Sequence, residues 1–207
     1  MLRLFHSPGS CARASHIALE EADADYQAVR VDLAAGEQTR PEYLAINPKG
    51  RVPALVTDRG VLTETPAILA FVAQSHPEAR LAPLDDPFAF ARVQAFNSYL
   101  ASTVHVAHSH GRRGYRWADD AAAIAEMKRK VPETMAACFA RIEADLPDDG
   151  PWVLGADYSI CDPYLFTISG WLDGDQVEIA QFPKVFGHFQ RMNDRPAVRK
   201  VLAREAG

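Results

Sequence analysis

A chain of 207 residues, 48% hydrophobic and 24% charged, has the composition of an ordinary globular protein and the length for one large or two small cores. No apolar run reaches the length of a bilayer span and Met1 to Phe5 is too short for a secretory apolar region, so a cytoplasmic protein with no membrane partner is expected. The formal net charge of -5 argues against a dedicated nucleic-acid binder, and three scattered cysteines, Cys11, Cys138 and Cys161, make neither a disulfide framework nor a zinc module.

Leu2 to Phe5 reads as a short strand, followed by the turn His6-Ser7-Pro8-Gly9-Ser10. Cys11 to Ala22 has helical spacing, with Ile17 and Leu19 inward and Glu20 and Glu21 outward. A second strand spans Tyr26 to Leu33, and Pro41 suits the first turn of a short helix through Leu44. Strands over Val52 to Thr57 and Val61 to Thr63 flank the hairpin signal Asp58-Arg59-Gly60. Thr65 followed by Pro66 predicts an N-cap and first helical residue, with the helix running to Ser75. The order βαβαββα predicts a small α/β domain over 1–77.

Residues 78–87, with Pro83 and Pro87 and no periodicity, read as a linker, and 88–207 as an all-α domain. Phe90, Val93, Phe96, Leu100 and Val104 recur at helical spacing, as do Met127, Val131, Met135, Cys138, Ile142 and Leu146. Pro132 predicts that the second series is kinked or is two helices end to end. Ser159-Ile160-Cys161-Asp162 fits a capping box opening a helix to about Trp171, which makes Asp162 structural. A helix over Pro183 to Met192 and a short one after Pro196 follow, and Cys138 and Cys161 read as core.

Two features of the first domain point to chemistry. Proline lacks an N–H, so Val52-Pro53 just before a strand, as a cis or trans bond, leaves Val52 backbone groups free to pair with an extended ligand. Cys11 falls at a helix N-terminus, where uncapped N–H groups and the helix dipole favour a thiolate. Together they suggest a thioredoxin-like site that grips a thiol peptide.

The ordered set of strand, S-P-G-S-C turn, N-P-K-G-R-V-P-A-L, T-E-T-P and S-I-C-D resembles the cytosolic glutathione transferase superfamily over essentially the whole chain, most closely its bacterial beta class. The resemblance implies a thioredoxin-like N-terminal domain, an all-helical C-terminal domain, glutathione as co-substrate and a homodimer. It implies that Cys11 contacts the glutathione sulfur, with Ser10 as the hydroxyl alternative, and that Val52 beside Pro53 holds the cysteinyl part as an added strand. Arg51, with Lys49 or Gln38, suits the glycyl carboxylate. Glu64 and Thr65, a carboxylate and a hydroxyl at a helix start, suit the ammonium and carboxylate of the γ-glutamyl end.

His105 aligns with a histidine lining the beta-class cleft, a polar group near the sulfur. His105 and His108 share a helix face without an acidic or cysteine ligand at zinc-site spacing, so no metal is expected. Arg112, Arg113 and Arg116 with Tyr115 and Trp117 read as a loop at the cleft mouth that steers anions such as glutathione. Tyr99, His108, Tyr115 and Trp171 are candidate pocket walls. His6 stands where the superfamily often has tyrosine, and Ser98, Thr103 and Val106 also depart from the beta-class pattern.

The leading expectation is an enzyme conjugating glutathione thiolate to small apolar electrophiles in a detoxifying role. A second is thiol-disulfide exchange or reductive cleavage with Cys11 as nucleophile and glutathione as the second thiol. A third is a non-catalytic interaction protein that keeps the fold.

Overall fold

In the computed structural model, which describes residues 1–206, the first domain follows the expected order: β1 (Leu2–His6), α1 (Ala12–Glu21), β2 (Tyr26–Arg30), α2 (Pro41–Leu44), β3 (Ala54–Thr57), β4 (Gly60–Thr63) and α3 (Thr65–Ser75). The four-stranded sheet has the order β2-β1-β3-β4, with β1 parallel to β2 and antiparallel to β3. Strand alternation divides its side chains. Leu4 opposite Leu55 enters the core with Leu19, Ile68 and Leu69 of α1 and α3, while Phe5 and Ala54 face Tyr43 of α2.

Boundaries differ from expectation at three places, one being β3, which starts at Ala54 after the Val52–Pro53 step and not at Val52. β2 stops at Arg30 because the Asp32 carboxylate turns the chain, accepting from the N–H groups of Ala34 at 2.9 Å and Ala35 at 3.0 Å. The N-cap of α3 is Glu64, not Thr65, and Glu64 holds φ at 71°, a left-handed conformation costly for a residue with a Cβ. The Val52–Pro53 bond is cis.

The second domain contains α4 (Pro87–Tyr99), α5 (His105–Arg113), α6 (Ala121–Asp145), α7 (Cys161–Ser169), α8 (Pro183–Asp194) and α9 (Pro196–Ala206). Asp86 caps α4 through the N–H groups of Phe88 and Ala89. A π-helical turn over Leu100–Val104 joins α4 to α5 and resets the helix phase just before His105. Pro132 does not divide α6, which is one helix of 25 residues capped by Asp120. The last helix is longer than expected, and α1 packs against both it and α7, so the chain's end closes over its beginning. Every residue of α7 is buried. Among the described residues no helix is long and apolar enough to cross a membrane.

The capping box at α7 forms, with the helix starting at Cys161. The fully buried Asp162 accepts from the N–H of Ser159 at 2.7 Å, the N–H of Val153 at 2.9 Å and Nε2 of His188 at 3.0 Å. One carboxylate therefore ties the 153–159 loop and α8 to the start of the central helix. Asp162→Ala strands three buried donors and is expected to lower the unfolding free energy by about 3–5 kcal/mol in urea titrations, with Asp162→Asn intermediate.

Candidate active site

A cleft of about 710 Å³ opens between the domains. The N-terminal wall is the turn after β1, the loop before β3 and the start of α3; the helical wall is α5, its following turn, and α7 with the segment beyond it. Cys11, Ser10, Arg51, Val52, Pro53, Glu64, Thr65 and His105 all line it, so residues far apart in the chain share one cleft.

The loop before β3 is built from its own polar groups. Buried Asn47 and Tyr43 both donate to the carbonyl oxygen of Arg51, at 2.7 and 2.6 Å, which fixes the backbone entering Val52. The Val52 carbonyl then accepts from Cys11 Sγ at 3.6 Å. A thiol and a strand-like backbone edge thus meet at the base of the cleft.

Cys11 occupies the N-cap of α1, yet its acidity departs from expectation. Burial raises the thiol above its ordinary value and outweighs the Thr65 hydroxyl and the Arg113 guanidinium, both of which favour the thiolate. Ser10 is also corrected. Its hydroxyl donates to the Ser7 carbonyl at 2.6 Å and accepts from the Ala12 N–H at 3.3 Å, so its proton is committed to the turn.

At the other end of the N-terminal wall, Glu64 pairs with Lys49 at 2.6 Å, and Lys49 also donates to Thr63. Gln38 presents a buried side-chain oxygen without a partner. Thr65 is buried at the first turn of α3.

On the helical wall, burial first, then His108 and the arginines around it, pull His105 down to about 4, so it is neutral at pH 7. Trp171 orders this wall: His108 stacks on it at 4.4 Å, His105 lies at 4.8 Å, and its indole N–H donates 2.8 Å to the Gly9 carbonyl. His108 Nδ1 is 2.7 Å from Asp175. Arg112, Arg113, Arg116, Tyr115 and Trp117 line the mouth, as the last turn of α5 and the turn after it rather than a free loop. Tyr99 does not join them; it packs against the helical core.

Arg113, expected at the cleft mouth, is also the cation that acts on Cys11. One cleft residue escaped sequence reasoning: Tyr164 of α7 lines the cleft as a neutral phenol, its acidity suppressed by burial and then by the charges of Cys11 and Glu64. Tyr164 lies in an apolar run and carries no sequence signal beyond core. The fold also assembles a donor set that spacing concealed. His6, His16 and Glu205, all buried, bring one nitrogen or oxygen each within 4.8 Å of one another. Glu205 already accepts from Arg13 at 2.6 Å and from the Gly9 N–H at 3.1 Å.

Family models described as Glutathione S-transferase, N-terminal domain and Glutathione S-transferase, C-terminal domain match residues 1–74 and 107–205. Glutathione S-transferase GstA of Escherichia coli O157:H7 is 32% identical, over 99% of this chain and 98% of that protein. The chain belongs to the glutathione S-transferase family. A glutathione transferase homologue from Sulfitobacter, solved with bound glutathione, superimposes with a TM-score of 0.95 at 50% identity, covering 99% of this chain and 98% of that one. A beta-class glutathione S-transferase from Sphingomonas chungbukensis gives 0.86 at 33% identity, covering 98% of each chain. The protein is thus a glutathione S-transferase of the bacterial type, with the α/β and helical domains of that fold. Disulfide-bond oxidoreductase YfcG of Escherichia coli K12 is 26% identical over 98% of this chain and 94% of that protein.

Burial also pulls His16 down to about 4, with the neighbouring His6 adding to it. Unfolded histidine titrates near about 6.5, so between these values the unfolded chain binds more protons and stability rises with pH. The contribution of neutral His16, about 3 kcal/mol, is complete above roughly pH 6.5 and is lost as pH falls towards 4. Urea unfolding at neutral pH and at about pH 4.5 should show a smaller loss of stability on acidification in His16→Gln than in the wild type.

Proposed function

We propose that this glutathione transferase joins the sulfur of glutathione to an electrophilic carbon held between the domains, with the reactive sulfur at the base of the cleft beside Cys11 and Arg113. The observation that carries the reading is the meeting of the Val52 backbone, the Cys11 thiol and the start of α3 on one wall, opposite His105 on the other. Glutathione is an extended peptide with a charged group at each end, and this wall offers matching groups in that order.

In this reading Val52 pairs with the cysteinyl backbone, the Val52 carbonyl exchanging the Cys11 thiol for a peptide N–H. The helix start at Thr65 receives the γ-glutamyl carboxylate, and Glu64 receives its ammonium in place of Lys49. Gln38, Lys49 and Arg51 face the glycyl carboxylate. Arg113 lowers the pKa of the bound thiol by adjacent positive charge, and Cys11 and Tyr164 supply hydrogen-bond donors to the sulfur. The thiol proton passes to solvent, and the thiolate attacks a carbon whose leaving group departs or whose double bond takes up the charge. Neutral His105 orients the electrophile by hydrogen bonding and not by charge. Catalysis comes from thiolate formation and positioning. Homodimer assembly and a cytoplasmic, detoxifying role belong to the same proposal, carried by the family resemblance.

A second reading, thiol-disulfide exchange through Cys11, is favoured by the placement of that sulfur in the cleft. The raised pKa of Cys11 weighs against it, because little thiolate is present in the free protein at pH 7. The retained peptide-binding wall weighs against a purely non-catalytic protein.

The two enzymatic readings separate in Cys11→Ala. Conjugation of glutathione to chlorodinitrobenzene should fall less than about tenfold, whereas exchange with a glutathione mixed disulfide should fall by about a hundredfold or more. Equal losses would contradict a conjugation site with Cys11 in a supporting role. Glu64→Ala should raise the Kd for glutathione about tenfold or more by calorimetry, since it removes a charge-assisted partner at the ligand's end.

A further inference from the structure

The helical wall of the cleft carries more positive charge than glutathione needs. Arg112, Arg113 and Arg116 line it within one stretch of chain, and Arg51 approaches from the other domain. Several arginines elsewhere hold carboxylates, as Arg13 holds Glu205, Arg195 holds Glu21 and Arg204 holds Glu20, and others stand singly on the surface. Among the described residues, none of the four cleft arginines makes an ion pair or donates a side-chain hydrogen bond. Their charges act on one another: burial lowers the Arg113 pKa and the neighbouring Arg116 lowers it further. A chain with a net charge of -5 has thus gathered unneutralised cations around one cavity.

Cations in the last turn of a helix ordinarily complement its dipole, which would be a sufficient role for Arg112 and Arg113 at the end of α5. These guanidiniums, however, do not donate to the α5 carbonyls, and Arg113 acts on Cys11 across the cleft. In the proposed binding mode glutathione does not use the surplus, because its two ends meet Glu64 and Thr65 on one side and Gln38, Lys49 and Arg51 on the other, and its sulfur meets Arg113. Arg112 and Arg116 remain, lining the same cleft as the exposed rings of Tyr115 and Trp117 and as Trp171. Planar guanidiniums next to indole and phenol rings suit a flat ring that bears an anionic group.

We propose that the second substrate is an aromatic electrophile carrying a carboxylate or a comparable oxyanion, its ring against the Trp171 wall and its charge on Arg112 and Arg116. The inference rests on the glutathione transferase reading and replaces the expectation of a small apolar electrophile. For an aryl chloride the step balances simply. The glutathione thiolate forms a C–S bond at the ring carbon, the C–Cl bond breaks, chloride leaves with the bonding pair, and the thiol proton is released to solvent.

The test compares chlorodinitrobenzene with chlorodinitrobenzoate, the same ring bearing a carboxylate, each kcat/KM divided by the uncatalysed rate with glutathione. At low ionic strength the anionic substrate should be favoured about tenfold or more, and the preference should shrink at high salt. In Arg112→Gln/Arg116→Gln the ratio of anionic to neutral substrate should fall about tenfold. Equal normalised rates in the wild type, or a preference that survives in the double variant, would overturn the proposal. So would a double variant that raises KM for glutathione and leaves the ratio unchanged, because the arginines would then serve glutathione. Failure of glutathione itself to bind, seen by calorimetry, would instead remove the reading on which the inference stands.

Discussion

The geometry of the cleft depends on how one glycine is held. Gly9 donates its N–H to Glu205 on the last helix and accepts at its carbonyl from the Trp171 indole. The left-handed φ of 70° at Gly9 is one that a residue with a Cβ rarely adopts. The turn that delivers Cys11 is therefore clamped from the helical domain at both faces of a single peptide residue. Glu205 is itself held by Arg13, two residues beyond Cys11, so α9, the start of α1 and the turn before it form one hydrogen-bonded unit. Apart from that clamp the turn is held by its own local hydrogen bonds, from the Ser10 N–H and hydroxyl to the Ser7 carbonyl, and by the Cys11 thiol on the Val52 carbonyl.

In the proposed reaction the cleft faces an electrostatic conflict, because a sulfur anion is needed where burial favours the neutral thiol. Burial drives Cys11 towards the neutral thiol. The compensation is the positive charge of Arg113 from the helical domain and the hydroxyl of Thr65 from the N-terminal wall. The proposed reading follows this division of labour, with the peptide recognised on the N-terminal wall and charge and stacked rings supplied by α5 and the segment around Trp171.

Much of the fold was legible because its signals are local. The βαβαββα order followed from turn residues and periodicity, and the S-I-C-D box marked the start of α7. Boundaries slipped where a side chain redirected the backbone, as Asp32 does after β2, or where a residue adopts an unexpected φ, as Glu64 does. The N-terminal half of the site was readable in the same way, since Cys11, Val52, Pro53, Glu64 and Thr65 lie in short motifs tied to element ends. The helical half was readable only in part. His105, Trp171 and the arginine cluster could be assigned to the cleft, but Tyr164 is indistinguishable from core in one dimension, the action of Arg113 on Cys11 depends on the packing of the two domains, and the meeting of His6, His16 and Glu205 arises only when α9 folds back over α1. The Ser10 hydroxyl looked free because sequence cannot show that Ser7 takes its proton.

The central claim is that the cleft converts bound glutathione into a thiolate through charge supplied by Arg113. The direct measurement is the ultraviolet difference absorbance of the thiolate in the glutathione complex, followed as a function of pH in the wild type and in Arg113→Ala. The account predicts that the bound thiol titrates at least about one unit below the ordinary thiol value of about 8.5, and that removing Arg113 moves it back up. A bound thiol that titrates at its ordinary value, or one whose titration is indifferent to Arg113, would contradict it.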